Sequence, residues 1–332
     1  MRAQITTLLL LAASGFFQAA FALPVRHFRA WRWEQMWVAQ SVAANVLFPV
    51  GWAMAVPAAF WSQAARLPWF HWLGCYGWGL LWGLGGVAWS LTLTGLGIAF
   101  ANSFVMGVSI LTGALFPLLL NAVEPPSRPW HFTVSLGLCL LGTVLVGVFR
   151  RHGKHQPFLP MPTAFRTYPR LLALAVFAGF STAGYGLAFT FAFSSIRTLV
   201  VNGISPLSAS LVVVLPVYLG AASVAIPLGL AVAARAGGLP LFGRFAGRNC
   251  SLALSMGLCA MATAVLYGVA GSRSGHPAPN VCFGLFVNCL VLGGVGLGFA
   301  TGEMRGLTAG ARTGLVLSAC GLAAGAWLLN AR

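Results

Sequence analysis

Not one of the 332 residues is aspartate, and only three, Glu34, Glu124 and Glu303, are glutamate. A soluble domain devotes about a quarter of its residues to charge, because charged side chains cover its water-facing surface. Here 7% are charged and 59% hydrophobic, so water cannot be the main solvent of a folded surface. The apolar residues also fall in runs, and a membrane-crossing helix needs roughly 20 of them at about 1.5 Å each. Such runs lie near 4–24, 36–60, 69–94, 97–122, 131–149, 171–193, 206–234, 249–270, 281–301 and 313–330. The chain therefore reads as an all-α integral membrane protein with ten transmembrane helices.

Of the charged residues, 19 are basic, and their placement predicts orientation. The odd-numbered loops between runs hold 13 of them, in the groups Arg26/Arg29/Arg32, Arg150/Arg151/Lys154/Arg166/Arg170, Arg235/Arg244/Arg248 and Arg305/Arg312. The opposite side, both termini included, holds 6: Arg2, Arg66, Arg128, Arg197, Arg273 and Arg332. The positive-inside rule puts the odd loops in the cytoplasm and both termini outside. Residues Arg2, Leu8–Leu11 and Ala20-Phe21-Ala22 resemble a cleavable signal peptide. Cleavage would invert the charge bias, so this segment is expected to be a retained first helix. Arginines scattered singly or in short clusters between apolar runs build no basic face, and no nucleic-acid partner is expected.

The chemistry of sites narrows the function further. No C-x-x-C occurs among seven cysteines, so neither a zinc site nor a disulfide framework is implied. His152 and His155 lie at helical spacing without a third ligand. Residues Gly83-Leu84-Gly85-Gly86-Val87-Ala88 fit a dinucleotide fingerprint, but they lie within an apolar helix and no acidic residue follows at the required distance. With no aspartate and no G-x-S-x-G, aspartyl chemistry and Ser-His-Asp triads are excluded. No enzyme activity, cofactor or metal is expected.

Five runs precede the basic 150–170 stretch and five follow it. An odd number per half makes the second half enter from the opposite side, which predicts an inverted repeat: residues 1–150, a basic cytoplasmic loop 151–170, and 171–332. Residues Gly15–Leu23 can be laid on Gly179–Leu187 at an offset of 164, with four identities. Inverted repeats recur in secondary transporters, whose interrupted helices frame a midplane site. Pro49 and Pro57 in the second run, and Pro216 and Pro227 in the seventh, predict interruptions at matching positions.

A stripe of Trp78, Trp82 and Trp89 on the third run, with Gly79, Gly83, Gly85 and Gly86 among them, can either stack on a sugar ring or pack against a neighbouring helix. Trp31, Trp33, Trp37, Trp69, Trp72 and Trp130 at run edges are expected as interface anchors. Gln18, Asn102 and Tyr185 lead the uncharged polar groups within spans, beside Gln40, Asn45, Ser103, Ser181, Thr182, Tyr218, Tyr267 and Asn288. This inventory suits a neutral polyhydroxylated solute or interhelical hydrogen bonds. Glu34 and Glu303 near Arg32 and Arg305 are either ion-paired anchors or carboxylates that load and release a proton.

The stretch Trp31-Arg32-Trp33-Glu34-Gln35-Met36-Trp37 resembles the W-x-W-E-x-M-W of the L-rhamnose–proton symporters, within the drug/metabolite transporter superfamily. Phe21-Ala22-Leu23-Pro24, Trp82-Gly83-Leu84-Gly85, Gly179-Phe180-Ser181, Leu215-Pro216-Val217-Tyr218 and Gly302-Glu303-Met304-Arg305-Gly306 continue the likeness in order. Gly86, Trp89, Thr94, Met304 and the stretch Cys259–Thr263 depart from the family pattern, on helices expected to contact solute. The resemblance implies a ten-helix carrier importing a 6-deoxyhexose with protons, by alternating access. Solute binding is then expected of Gln18, Trp78, Trp82, Trp89, Asn102 and Tyr185, and proton coupling of Glu34 or Glu303. The partners would be a sugar, protons and the bilayer. A metabolite or drug exporter on the same fold is the alternative, ahead of a non-transporting sensor or scaffold.

Overall fold

The structure, a computed structural model, describes residues 2–97, 100–119, 130, 133–135, 137–138, 140–142, 145, 167–273, 279–302 and 307–330. Glu124, Glu303, His152, His155 and nearly all of the 151–170 loop lie outside the described residues. Helix α1 is Arg2–Ala20, followed by a 3-10 turn at Leu23–His27. The second run is divided into α2 (Trp33–Val42), a π turn (Ala43–Leu47), α3 (Phe48–Ala55) and α4 (Ala58–Ala64). Helix α5 is Trp69–Leu96, and a second π turn (Ala101–Val105) leads into α6 (Met106–Leu119). Then come α7 (Tyr168–Phe191), α8 (Phe193–Val201), α9 (Pro206–Arg235), α10 (Ala246–Arg273), α11 (Pro279–Ala300) and α12 (Ala309–Asn330).

Among the described residues there is no strand. Six segments among the described residues are long and apolar enough to cross a bilayer: Ile5–His27, Trp33–Ala55, Trp69–Leu96, Tyr168–Val201, Pro206–Arg235 and Ala246–Ser272. Large apolar side chains point outward from them, Met54 at 83% exposure and Leu9 at 65% among them. A helical bundle apolar on the outside as well as within is a multi-pass membrane protein.

The prolines act unequally. Pro49 has no N–H for the carbonyl of Asn45, and the helix meets it with a π turn in which Phe48 N–H reaches back to Ala43 O. Pro57 ends α3 outright. Pro216 and Pro227 instead lie inside a continuous α9, so the interruptions expected at matching positions are present only in the second run. The carbonyl that Pro216 frees, that of Val212, accepts from the His71 side chain at 3.2 Å, which removes the main cost of the proline.

The interface tryptophans also divide. Trp69 is exposed, whereas Trp31, Trp33 and Trp37 are core residues no more than 5% exposed. Trp33 Nε1 donates to Ser90 Oγ at 2.8 Å and Trp31 Nε1 to Arg244 O at 2.9 Å. The motif that carries them folds inward against α5 and α10.

Helix α5 is the hub, packed against both α7 and α9. Lipid offers no hydrophobic drive for helices to associate, so close approach through small residues supplies the contact energy. A Cβ at Gly79 would strike the Val217 backbone, and one at Gly83 would stand 2.7 Å from Ala221 Cα. Gly220 faces the Tyr76 carbonyl from the other side. Gly79→Val should therefore force α5 and α9 apart, at a cost of about 1–3 kcal/mol. In detergent this would lower the melting temperature by several degrees, whereas Gly77→Ala, with open space around it, should leave it within a degree or raise it.

Candidate functional site

At about 100° per residue, Trp82 falls between the Gly79/Gly83 face of α5, which meets α9, and Gly85, which meets α7 at Ser181. Its ring consequently touches both neighbours, with centroids 5.3 Å from Tyr185 on α7 and 5.0 Å from Tyr218 on α9. Tyr185 continues to Tyr267 on α10 at 5.6 Å, and Tyr267 to Phe286 on α11 at 5.4 Å. Five helices thus meet in one aromatic cluster. Tyr218 donates to Ala260 O at 3.3 Å, while the buried Tyr185 hydroxyl has no hydrogen-bond partner among the described residues.

The other expected binding residues are distributed around this cluster. Trp78 stands edge-on to Phe116 at 6.2 Å, and Trp89 lies 5.6 Å from Phe21. The three tryptophans share a stripe but occupy successive levels with separate neighbours. Gln18 is half-buried on α1, beside α10 and α11 rather than α5. Asn102 is fully buried in the second π turn, and Gly294 of α11 makes room for its amide, because a Cβ there would stand 2.8 Å from Nδ2.

Sequence reasoning placed Trp37 at the membrane interface, yet it stands in this region. Its Cζ2 is 3.4 Å from the position a Gly86 Cβ would take, and its Cδ1 3.9 Å from the same point at Gly229. The indole N–H edge therefore lies in the crevice between α5 and α9.

Several buried polar atoms here lack hydrogen-bond partners: Trp37 Nε1, Trp89 Nε1, both amide atoms of Asn102, and the hydroxyls of Ser103 and Ser181. Each such group costs about 1–3 kcal/mol when left dry. A concentration of them in one interior is the signature of bound water or a polar ligand. Among the described residues no group of three His, Cys, Asp or Glu side chains is placed to hold a metal.

Glu34 lies elsewhere, in a clasp at the far end of α9. Its Oε1 is 2.8 Å from Arg32 Nε, with the carboxylate almost wholly buried. Arg32 Nη2 donates to Ala236 O at 3.1 Å, and Gln35 Nε2 to Gly238 O at 2.9 Å. Asn249 donates to Arg29 O and accepts from its N–H, at 2.8 and 3.2 Å, and Arg26 Nη1 donates to Thr301 O at 2.8 Å. The segment between α1 and α2 is thereby tied to the ends of α9, α10 and α11. Gly238 leaves room for the ends of the Arg32 and Gln35 side chains, which a Cβ there would displace. Glu303, the other coupling candidate, lies outside the described residues.

No protein-family model matches the chain. Curated relatives do, among them three named L-rhamnose-proton symporter. The protein from Klebsiella pneumoniae is 26% identical, and those from Shigella boydii serotype 18 and Escherichia coli O1:K1 are each 23% identical. In each case 58% of this chain is matched, spanning 57% of the relative's length. One crystal structure of a protein superposes with a TM-score of 0.52 and 18% identity over 98% of both chains, which shows a shared fold. The curated matches, at 23–26% identity, support a family relation between this chain and the L-rhamnose–proton symporters.

Proposed function

We propose that this chain is a proton-coupled carrier for a neutral, sugar-like solute, with L-rhamnose or a related 6-deoxyhexose as the first candidate. The observation that carries this reading is the uncharged aromatic centre around Trp82, within an interior that also holds buried donors and acceptors without partners. A pyranose presents apolar ring faces and hydroxylated edges. Indole and phenol faces suit the former, and the Trp37, Trp89, Asn102 and Ser181 polar groups the latter. An inorganic cation would find no carboxylate there, because Glu34, the one carboxylate among the described residues, sits in the clasp. The relatives' names contribute the sugar and the proton.

The same reading includes ten transmembrane helices, as inverted repeats 1–150 and 171–332 joined by the basic loop 151–170. It also places the chain in a bacterial-type inner membrane with both termini outside. The packing supports inversion: α1 docks on α10 and α11, α7 docks on α5 and α6, and α2 meets α9. The first helix of each half thus seats on the third and fourth of the other, as a pseudo-two-fold axis requires. Rocking of such halves would expose the Trp82 cluster to each side in turn. Glu34, or Glu303, would carry the proton; a protonated Glu34 releases Arg32 and with it one tie to α9.

Membrane vesicles given an inward-acid gradient should accumulate radiolabelled L-rhamnose or another sugar from a panel, and the gradient's collapse should abolish accumulation. Silence across the panel in vesicles with verified expression would sink the symport reading. Trp82→Ala should raise the half-saturating concentration about tenfold, equivalent to ~1.4 kcal/mol, whereas Trp69→Ala, 74% exposed, should change it less than about twofold. Glu34→Gln should reduce gradient-driven accumulation at least tenfold. Full accumulation by that variant would leave Glu34 as an anchor of the clasp only.

A further inference from the structure

His71 is the third residue of α5 and only 2% exposed. Neither the aromatic cluster nor the clasp uses it. Its Nε2 lies 3.2 Å from the carbonyl of Val212, and its Nδ1 lies 3.1 Å from Ser195 Oγ. A carbonyl can only accept, so Nε2 carries the hydrogen and Nδ1 presents a lone pair to the serine hydroxyl, which donates to it. The Val212 carbonyl is free because Pro216, four residues on, has no N–H. One imidazole therefore joins α5, α8 and α9. It does so about 36 Å along α9 from Ala236, at the end opposite the clasp.

We propose that Nδ1 of His71 is a proton-binding site whose occupancy opens this corner of the carrier. The geometry accepts either charge state locally. A proton taken from water forms the Nδ1–H bond, and the Ser195 hydroxyl turns from donor to acceptor while Nε2–H stays on Val212 O. Among the described residues the charge itself has no counterion in the closed corner. Cys75, with Sγ 4.0 Å from Nε2, and the rings of Trp72 and Phe191 complete the surroundings. The charged side chains on the flanking segments are Arg66 and Arg197, both cationic and exposed. A buried unpaired charge is costly, and the cost is relieved when water reaches it. Proton binding therefore favours the conformation in which α5, α8 and α9 have parted, and by linkage that conformation favours the proton. An unperturbed imidazole titrates within the pH 5–8 window, so acid on this face would favour entry of solute from it.

The proposal rests on the alternating-access reading, but its test needs no solute. Cys75 is buried one turn from His71 and faces the same corner. Its alkylation by a water-soluble maleimide in the intact, purified protein, read by peptide mass spectrometry, reports opening. His71→Gln keeps an N–H for Val212 O and cannot take up a proton. The ratio of Cys75 labelling in the wild type to that in His71→Gln cancels the pH dependence of thiol reactivity. That ratio should rise at least about fivefold from pH 8 to pH 5.5, and a flat ratio overturns the proposal. If His71→Gln does not fold, the ratio of Cys75 labelling to that of Cys250, exposed at the start of α10, takes its place in the wild type, with the same two outcomes. Silent transport in vesicles alongside a rising ratio would discard the symport reading and retain the proton-controlled corner.

Discussion

The architecture depends on how closely α5 can approach α9 and α7. In lipid a helix gains nothing by hiding apolar side chains, so association is decided by contact distance and hydrogen bonds. Gly79, Gly83 and Gly85 allow α5 to reach the backbone of one neighbour and Ser181 of the other. That spacing inserts Trp82 between Tyr185 and Tyr218, and sets Gly86 against Trp37. A wider crossing would leave the aromatic groups as separate lipid-facing side chains. The helix contact and the candidate site are therefore one piece of geometry.

Polar groups are managed differently at the centre and at the ends. At the ends almost everything is tied: Arg32, Gln35, Trp31 and Asn249 secure one, and His71 and Ser195 the other. At the centre Asn102, Ser103, Ser181 and two indoles are buried with nothing to bond to. A bilayer interior penalises such groups more than any other environment. Tied ends around an unsatisfied centre are the arrangement expected of the proposed carrier, whose solute would supply the missing hydrogen bonds. The two π turns, at Ala43–Leu47 and Ala101–Val105, hold Asn45, Asn102 and Ser103 and mark where regular helix yields to this demand.

Which residues belonged to that centre was only partly legible beforehand. Trp82, Tyr185 and Asn102 were picked out by type and by position within apolar runs. Trp37 was read as an interface anchor because it lies near the start of its run, yet the preceding segment folds back under the bundle and carries Trp31 and Trp33 inward with it. His71 drew no attention in the sequence, since a single histidine near a run edge has many bland explanations. Its role depends on Pro216, which lies 145 positions away and becomes its neighbour only in three dimensions.

The sequence by itself determined the solvent and the class of structure. A chain with three carboxylates and long apolar runs must satisfy its backbone internally, and helices do this with no knowledge of their neighbours. It also determined the break at Pro57, because proline acts on its own helix. Only the tertiary structure decided whether Pro216 would break α9, since that turned on an imidazole from another helix. It alone decided which tryptophans stack and which donors stay unpaired. Those outcomes are set by contacts between helices, and composition within one helix is silent about the distance to the next.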